Sequence, residues 1–355
     1  MTKRYRIAVI SGDGIGPEVV REGLRVLDRA ASLEGFGVEL THYPFGAEHY
    51  LRTKEVFPDS AFAEIRGHDA ILLGAIGDPR IEVGLLEFGI IAKLRFDLDL
   101  FVNLRPVKLY AEHLCPLKGV GPERVDFVVV RENTEDAYAG MRGFFKKGTP
   151  DEIATQEIIF TRKGVERVIR YAFELARSRP RKKLTLVDKA NAIRAMDLWT
   201  RVFAEVGAEY PDVTRNHQYI DAACMYVVRD PQDYDTVVTS NMFGDIFTDL
   251  SAMIQGGLGV AASGNLHPGR VSLFEPIHGS APAFAGRNVA SPIATVMAVS
   301  MMLEYLGEVR ASRRIEAAAA SLLRSKRLPS VGTDSGVGTD RIGDWVLEEL
   351  AAIEV

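Results

Sequence analysis

The stretch Arg6-Ile7-Ala8-Val9-Ile10-Ser11-Gly12-Asp13-Gly14-Ile15-Gly16-Pro17-Glu18 carries a short run rich in β-branched residues into a glycine-rich turn, then into a helical pattern over Pro17 to Ala31. A strand, a glycine turn and a helix in that order make the form of a dinucleotide fingerprint. The spacing here is GxGxG, however, not GxGxxG. Pro17 suits a first helical turn, but Glu18 follows it and would set a negative charge against any pyrophosphate at the helix N-terminus. The turn therefore reads as a tight corner near an active-site cleft, and an ordinary Rossmann cradle is disfavoured.

Outward from this corner the alternation repeats. Ala70 to Gly74 precedes a helical pattern over Glu87 to Arg95, Leu184 to Val187 precedes Ala190 to Val206, and Thr236 to Thr239 precedes Asn241 to Ile254. Strands alternating with helices predict an α/β architecture with parallel strands. The 355 residues leave room for about two domains at ~150 residues each. No flexible linker separates them, so the expected connection is through strands, the chain leaving the first domain and returning to it.

Composition excludes several classes of function. Forty-three basic and 48 acidic residues are interspersed, for a net charge of −5, so neither nucleic acid nor an anionic membrane is an expected partner. The one dense basic run, Arg177 to Lys183, reads as a solvated helix end. Cys115 and Cys224 make no disulfide framework and no zinc spacing, which points to a reducing, cytoplasmic setting. The apolar run Ile7 to Ile10 is too short for a signal peptide. Ile293 to Leu303 falls short of the ~20 residues that span a bilayer, and reads as a buried or subunit-interface helix.

The densest chemistry lies in Asn241-Met242-Phe243-Gly244-Asp245-Ile246-Phe247-Thr248-Asp249, where helical spacing puts Asp245 and Asp249 on one face. Flanked by Phe243, Ile246, Phe247 and Leu250, the helix reads as well buried, and two uncompensated carboxylates on it repel. They then call for a cation to stay charged, and hard oxygen ligands select Mg2+ or Mn2+ over zinc. A solvated acidic face is the alternative. Asp221, after the apolar end of Tyr219-Ile220, is a third carboxylate at a strand end, although taken alone it reads as a helix N-cap. Arg95, Arg105 in Asn103-Leu104-Arg105-Pro106, and Arg131 in Val128-Val129-Val130-Arg131-Glu132-Asn133 share exposed strand-end contexts. Each alone is an ordinary surface ion pair. Together, beside an acidic metal site, they suit bidentate capture of a substrate with two carboxylates.

In order along the chain, the GDGIGPE turn, Asn103-Leu104-Arg105-Pro106, Arg131-Glu132-Asn133-Thr134-Glu135, Asp188-Lys189-Ala190-Asn191, the Asp245/Asp249 helix and Glu275-Pro276-Ile277-His278-Gly279-Ser280-Ala281-Pro282 resemble the β-decarboxylating dehydrogenase family. Its members act on 3-isopropylmalate, isocitrate, homoisocitrate, tartrate or D-malate, and the likeness covers almost the whole chain. It implies a two-domain, non-Rossmann α/β fold with the active site in the cleft between domains. One domain is expected from residues 1–102 and 256–355, with the cofactor loop. The other, 103–255, is expected to carry dimerisation, the aspartates and the catalytic Tyr and Lys.

The resemblance also implies roles. Arg95, Arg105 and Arg131 match the arginines that hold substrate carboxylates. Asp221, Asp245 and Asp249 match the metal aspartates, with Asp221 also near substrate. Tyr138 and Lys189 match the catalytic acid and base. A homodimer with shared sites is implied, Lys189 and Asp221 coming from the second subunit. NAD is the expected cofactor, bound through Glu275, His278, Gly279, Ser280, Ala281, Ser291 and Asn191, with Mg2+ or Mn2+ as the metal.

Gly84 to Ile91 is expected to face the substrate's third substituent, with Glu87 and Ile90 among its contacts. Isocitrate enzymes usually carry serine and asparagine there, so the leucines and isoleucines favour an isopropyl group and hence 3-isopropylmalate. Gly148 to Gly164 resembles tartrate and D-malate enzymes instead. Two positions depart from the NAD pattern, Ala283 where an aspartate usually binds the adenosine ribose and Ser291 in place of asparagine. The lysine and tyrosine of NADP users are missing at Ala283 and Phe284, and Asp230 stands where an arginine favours a 2′-phosphate, so NAD is still expected. A non-catalytic dicarboxylate-binding protein is the alternative from another class.

Overall fold

The structure, a computed structural model, describes residues 3–353 and is mixed α/β. It divides into two compact units. One runs to Leu100, takes in Pro106–Val125 and resumes at Ala252; the other comprises Phe101–Arg105 and Asp126–Ser251. Pro106–Val125 thus groups with the unit of the chain ends, whereas the sequence reading puts it in the middle domain.

In the unit of the chain ends the strands lie in the order Gly37–Tyr43, Arg4–Gly12, Ala70–Ala75, Ser272–Pro276, Ala262–Leu266. The first three pairings are parallel and the last is antiparallel. Ile7 to Ile10 and Ile71 to Leu73 are fully buried, as continuous apolar runs must be when a parallel sheet is covered on both faces. The helix Ile293–Tyr305 packs on Gly16–Glu34, Val309–Arg324 and the strand Ser272–Pro276. It is apolar all round because nearly every face is covered.

The corner after the first strand depends on its glycines. Gly12 and Gly14 have φ of +71° and +57°, and a Cβ on either would meet a carbonyl oxygen, of Ala75 or Ser280, at 2.0 and 1.9 Å. Asp13 staples the same corner, accepting N–H bonds from Ala47 and Gly77 at 2.6 and 2.9 Å. Glu18 accepts the N–H groups of Gly286 and Asn288. Its charge therefore anchors a loop of protein at the helix start.

The middle unit contains the strands Asp126–Glu132, Thr236–Thr239, Lys183–Asp188 and Thr214–Tyr219 in that spatial order, every pairing parallel. The register sets Thr239 beside Arg131 and Val187, and Asp188 beside Tyr219. The carboxyl ends of the strands are thus aligned, and Arg131, Lys189, Asp221 and the helix Asn241–Ile254 all lie at or just beyond that edge, where open parallel sheets place chemistry.

Local readings differ in three places. Ala190 to Val206 is not one helix, because the Asp188 carboxylate takes the Ala190 N–H at 3.1 Å and the Lys189 carbonyl takes two more amides. That turn delays the helix to Asp197–Gly207. Glu87–Ala92 is a π-helical turn leading into Lys93–Asp97. The basic run is not simply solvated, since Arg179 pairs with the buried Asp235 at 2.6 Å and with Asp126 at 2.8 Å. Among the described residues no helix is long and apolar enough to cross a membrane.

Candidate active site

Arg131 ends its strand 2 % exposed and Arg105 is 5 % exposed, so neither is the surface arginine its strand-end context suggests. Arg131 donates from Nη1 to Asp245 Oδ1 at 2.6 Å and from Nη2 to Asn241 Oδ1 at 2.7 Å. Arg105 is held by Asn103 and Thr248 at 2.6 and 2.5 Å, and reaches Asp245 at 3.4 Å and Asp249 at 3.7 Å. Gly244 makes this possible, since a Cβ there would come within 2.5 Å of the Arg131 side chain. Both guanidiniums are thus aimed by neutral acceptors, Asn241, Asn103 and Thr248, and also face the Asp245 carboxylate, so they set positive charge beside it.

Asp245 and Asp249 lie on one face of the helix Asn241–Ile254, but the sequence picture needs two corrections. The carboxylates are not uncompensated, because both guanidiniums approach them. Nor is their face covered in the chain, since Ile246 is exposed and the Asp249 side chain is 60 % exposed. Desolvation and then the neighbouring Asp245 charge push the Asp249 carboxyl up, opposed by the Arg105 and Arg131 guanidiniums. An all-oxygen donor pair of this kind fits Mg2+ or Mn2+. Among the described residues no three acidic, histidine or cysteine side chains converge on one point, so Asp221 does not complete the pair within the chain.

Tyr138 joins this cluster. Its hydroxyl donates to Asp245 Oδ2 at 3.1 Å, and the Arg131 guanidinium lies 5.7 Å from its ring. Burial first, and then the Asp245 charge, raise its pKa, so the phenol keeps its proton. Lys189 and Asp221 make a separate pair, Nζ to Oδ1 at 2.7 Å, and the ammonium's hydrogen bond depresses the Asp221 carboxyl. Asp188 next to Lys189 is fully buried and lies 3.0 Å from His217 Nε2, and its bond from the Ala190 N–H steadies the turn that presents the lysine.

In the unit of the chain ends, Arg95 lies on the helix Lys93–Asp97 rather than at a strand end. Its Nη2 donates to Glu275 Oε1 at 2.8 Å, an oxygen that also accepts from Asn265 at 2.8 Å, while its buried Nε has no partner. Glu87 is exposed and, with Gly77, Leu86 and Ser280, lines a cavity of about 370 Å3. Ile90 departs from expectation. It is fully buried in the core cluster with Phe57, Leu86 and Leu94, with no surface open to a ligand in this structure. Leu85 and Ile91 are the partly exposed apolar residues of that segment, and Phe88 is 42 % exposed.

A second cavity, of about 390 Å3, is lined by Ile15, Leu258, His278, Phe284, Ser291 and Val331 among others. Burial lowers the His278 pKa, so the ring is neutral, and its Nε2 is buried with no partner. A largely apolar slot of this size fits a flat ring such as adenine. Ala281, at φ +42°, starts the turn that sets Phe284 against Ile15 and Val19. The Ser291 hydroxyl is spent on the Gly259 carbonyl at 3.1 Å, Gly279 and Ser280 line the first cavity, and Asn191 is exposed in the middle unit.

Sequence reasoning missed Asn241, Thr248 and Asn103 as the groups that aim the arginines. Asn103 carried a signal, since residues two apart on a strand share a face. Thr248 and Asn241 carried none beyond their place in the motif.

The isocitrate/isopropylmalate dehydrogenase family model matches residues 6–346. The 3-isopropylmalate dehydrogenase of Thermobifida fusca is 52 % identical over 98 % of both chains. That of Frankia casuarinae is 54 % identical over 90 % of this chain and 93 % of its own. Among solved structures, isocitrate dehydrogenase from Methylococcus capsulatus superposes with a TM-score of 0.88 at 36 % identity, covering 98 % of this chain and 99 % of that one. With the motifs, the fold and the matched span all in agreement, this chain belongs to the isocitrate/isopropylmalate dehydrogenase family.

Proposed function

We propose that the protein oxidises 3-isopropylmalate with NAD in the presence of a divalent cation and releases CO2, yielding 4-methyl-2-oxopentanoate for leucine biosynthesis. The observation that carries this reading is the 52 % identity, end to end, to a 3-isopropylmalate dehydrogenase. The apolar Leu85 and Ile91 support an alkyl substituent over a third carboxylate.

Each residue then has a task. Arg105 and Arg131, buried beside Asp245, bind substrate carboxylate, with Arg95 as the third arm. Asp245 and Asp249 hold the cation together with Asp221 of the partner subunit. NAD, when bound, would supply the hydride acceptor, and a divalent cation at these aspartates would supply Lewis-acid polarisation of the substrate's oxygens. Lys189, from the partner subunit, accepts the C2 hydroxyl proton in its neutral amine form. Tyr138, kept protonated by burial and the Asp245 charge, delivers a proton to C3. Dimerisation is supported by exposed apolar side chains on two helices, Met225 and Val228 on Ile220–Arg229 and Ile246 and Met253 on Asn241–Ile254, more than isolated surface apolar residues call for.

The deciding experiment is a substrate panel of 3-isopropylmalate, D-malate, tartrate, isocitrate and homoisocitrate with NAD and Mn2+. The highest kcat/KM is expected on 3-isopropylmalate, and a preference for isocitrate would overturn the assignment.

A further inference from the structure

Asp136 has no part in the chemistry above, yet it is 1 % exposed and its φ is +73°, a left-handed conformation that L-residues enter rarely. Both carboxylate oxygens are engaged. Oδ1 accepts from the Ala137 N–H at 2.7 Å and Oδ2 from the Met242 N–H at 3.0 Å. The Met242 amide is one of the first-turn donors that the helix Asn241–Ile254 cannot satisfy internally. Asp136 therefore caps that helix from a distant segment, with a negative charge at its positive end.

A second tie runs alongside, from Asn241 Nδ2 to the Glu135 carbonyl at 3.3 Å. Tyr138 lies two residues beyond Asp136, and Asp245 lies three beyond Met242. The 3.1 Å contact between the Tyr138 hydroxyl and Asp245 thus joins the two segments that the Asp136 cap already holds together. On the other side, Glu132 fixes the loop start by accepting the Thr134 and Glu135 N–H groups at 2.7 and 2.9 Å. The left-handed turn at Asp136 redirects the chain between these anchors.

We propose that Asp136 is a positioning residue for proton delivery to C3, its capping carboxylate and left-handed backbone holding the Tyr138 hydroxyl at the Asp245 turn of the helix. This rests on the reading of Tyr138 as the C3 proton donor. In the step served, the enolate electron pair forms the C3–H bond as the Tyr138 O–H bond breaks, the C2 carbonyl re-forms, and the tyrosinate recovers its proton from solvent.

The test compares two partial reactions in the full-length protein with Mn2+. One is hydrogen–deuterium exchange at C3 of 4-methyl-2-oxopentanoate in D2O with NADH; the other is single-turnover NADH formation from 3-isopropylmalate. Asp136→Ala should slow the exchange at least about tenfold while hydride transfer stays within about threefold, because a displaced proton donor affects only the step it serves. Asp136→Asn keeps an acceptor and tolerates the left-handed turn, so it should return exchange to within about threefold of wild type. Asp136→Gly relieves the backbone but removes the cap; it should stay slow, and it decides the matter if the alanine variant does not fold. Normal exchange in Asp136→Gly, or equal losses in both partial reactions, would overturn the positioning role alone. Unchanged exchange in Tyr138→Phe would remove the donor assignment itself and the proposal with it.

Discussion

Mixing the Tyr138→Phe and Lys189→Ala variants under refolding conditions should recover activity that neither has alone. The Tyr138 hydroxyl sits on Asp245 at 3.1 Å and Lys189 Nζ on Asp221 at 2.7 Å, and within the described residues no metal-type cluster unites the two groups. If each site takes Tyr138 from one subunit and Lys189 from the other, a mixed dimer has one site with both lesions and one with neither. Loss of a general acid or base costs about 10²–10⁴-fold, so each homodimer should retain at most about 1 % of wild-type turnover. Random pairing makes half the dimers mixed, each with one of two sites intact, so recovery should reach about a quarter of wild type. That is at least about twenty-five times either parent. The assay is NADH formation after co-refolding, with heterodimers isolated by two affinity tags. Isolated heterodimers with no more activity than the parents would refute the shared site and leave the reaction assignment standing.

Four other outcomes are expected. Asp245→Asn removes the charge that faces Arg131 at 2.6 Å and a cation ligand, and should lower turnover at limiting metal at least ~100-fold; full activity in excess chelator would contradict this. Ile90→Ser should cost at least about 2 kcal/mol of stability, measured by denaturant titration, because Ile90 is wholly in the core, and should not selectively impair 3-isopropylmalate relative to D-malate. NAD should outperform NADP in kcat/KM, and Ala283→Asp should tighten NAD in a fluorescence titration by restoring a ribose acceptor. Burial raises the Glu132 carboxyl from 4.5 to about 7, so the folded state binds more protons than the unfolded one between those values and stability should fall as pH rises through that window. Glu132→Gln should flatten that slope in thermal melts, and an unchanged slope would show that the buried carboxyl does not set it.

Much of this was legible because it is local. The alternation of apolar runs with helical patterns predicted parallel strands followed by helices, and spacing alone put Asp245 and Asp249 on one helix face. The GxGxG spacing with Glu18 argued against a phosphate cradle, and the fold agrees, Glu18 being bonded to the loop at Gly286 and Asn288. The family was readable from several motifs in a fixed order.

What the sequence could not determine was which side chains end up buried and what they meet, since both depend on residues far apart in the chain. Arg105 and Arg131 look like exposed strand-end arginines by position, yet they are buried because Thr248, Asn241 and Asp245, more than a hundred residues away, close over them. Ile90 looks like a ligand contact, but it lies in a π-helical turn and is wholly packed in the core with Phe57, Leu86 and Leu94. Asp136 shows nothing in the sequence beyond an acid just after the Arg131 to Glu135 motif. Its left-handed backbone and its cap on Met242 exist only once the strand end and the helix have come together, because a hydrogen bond between distant segments is specified by the packing that brings them into range.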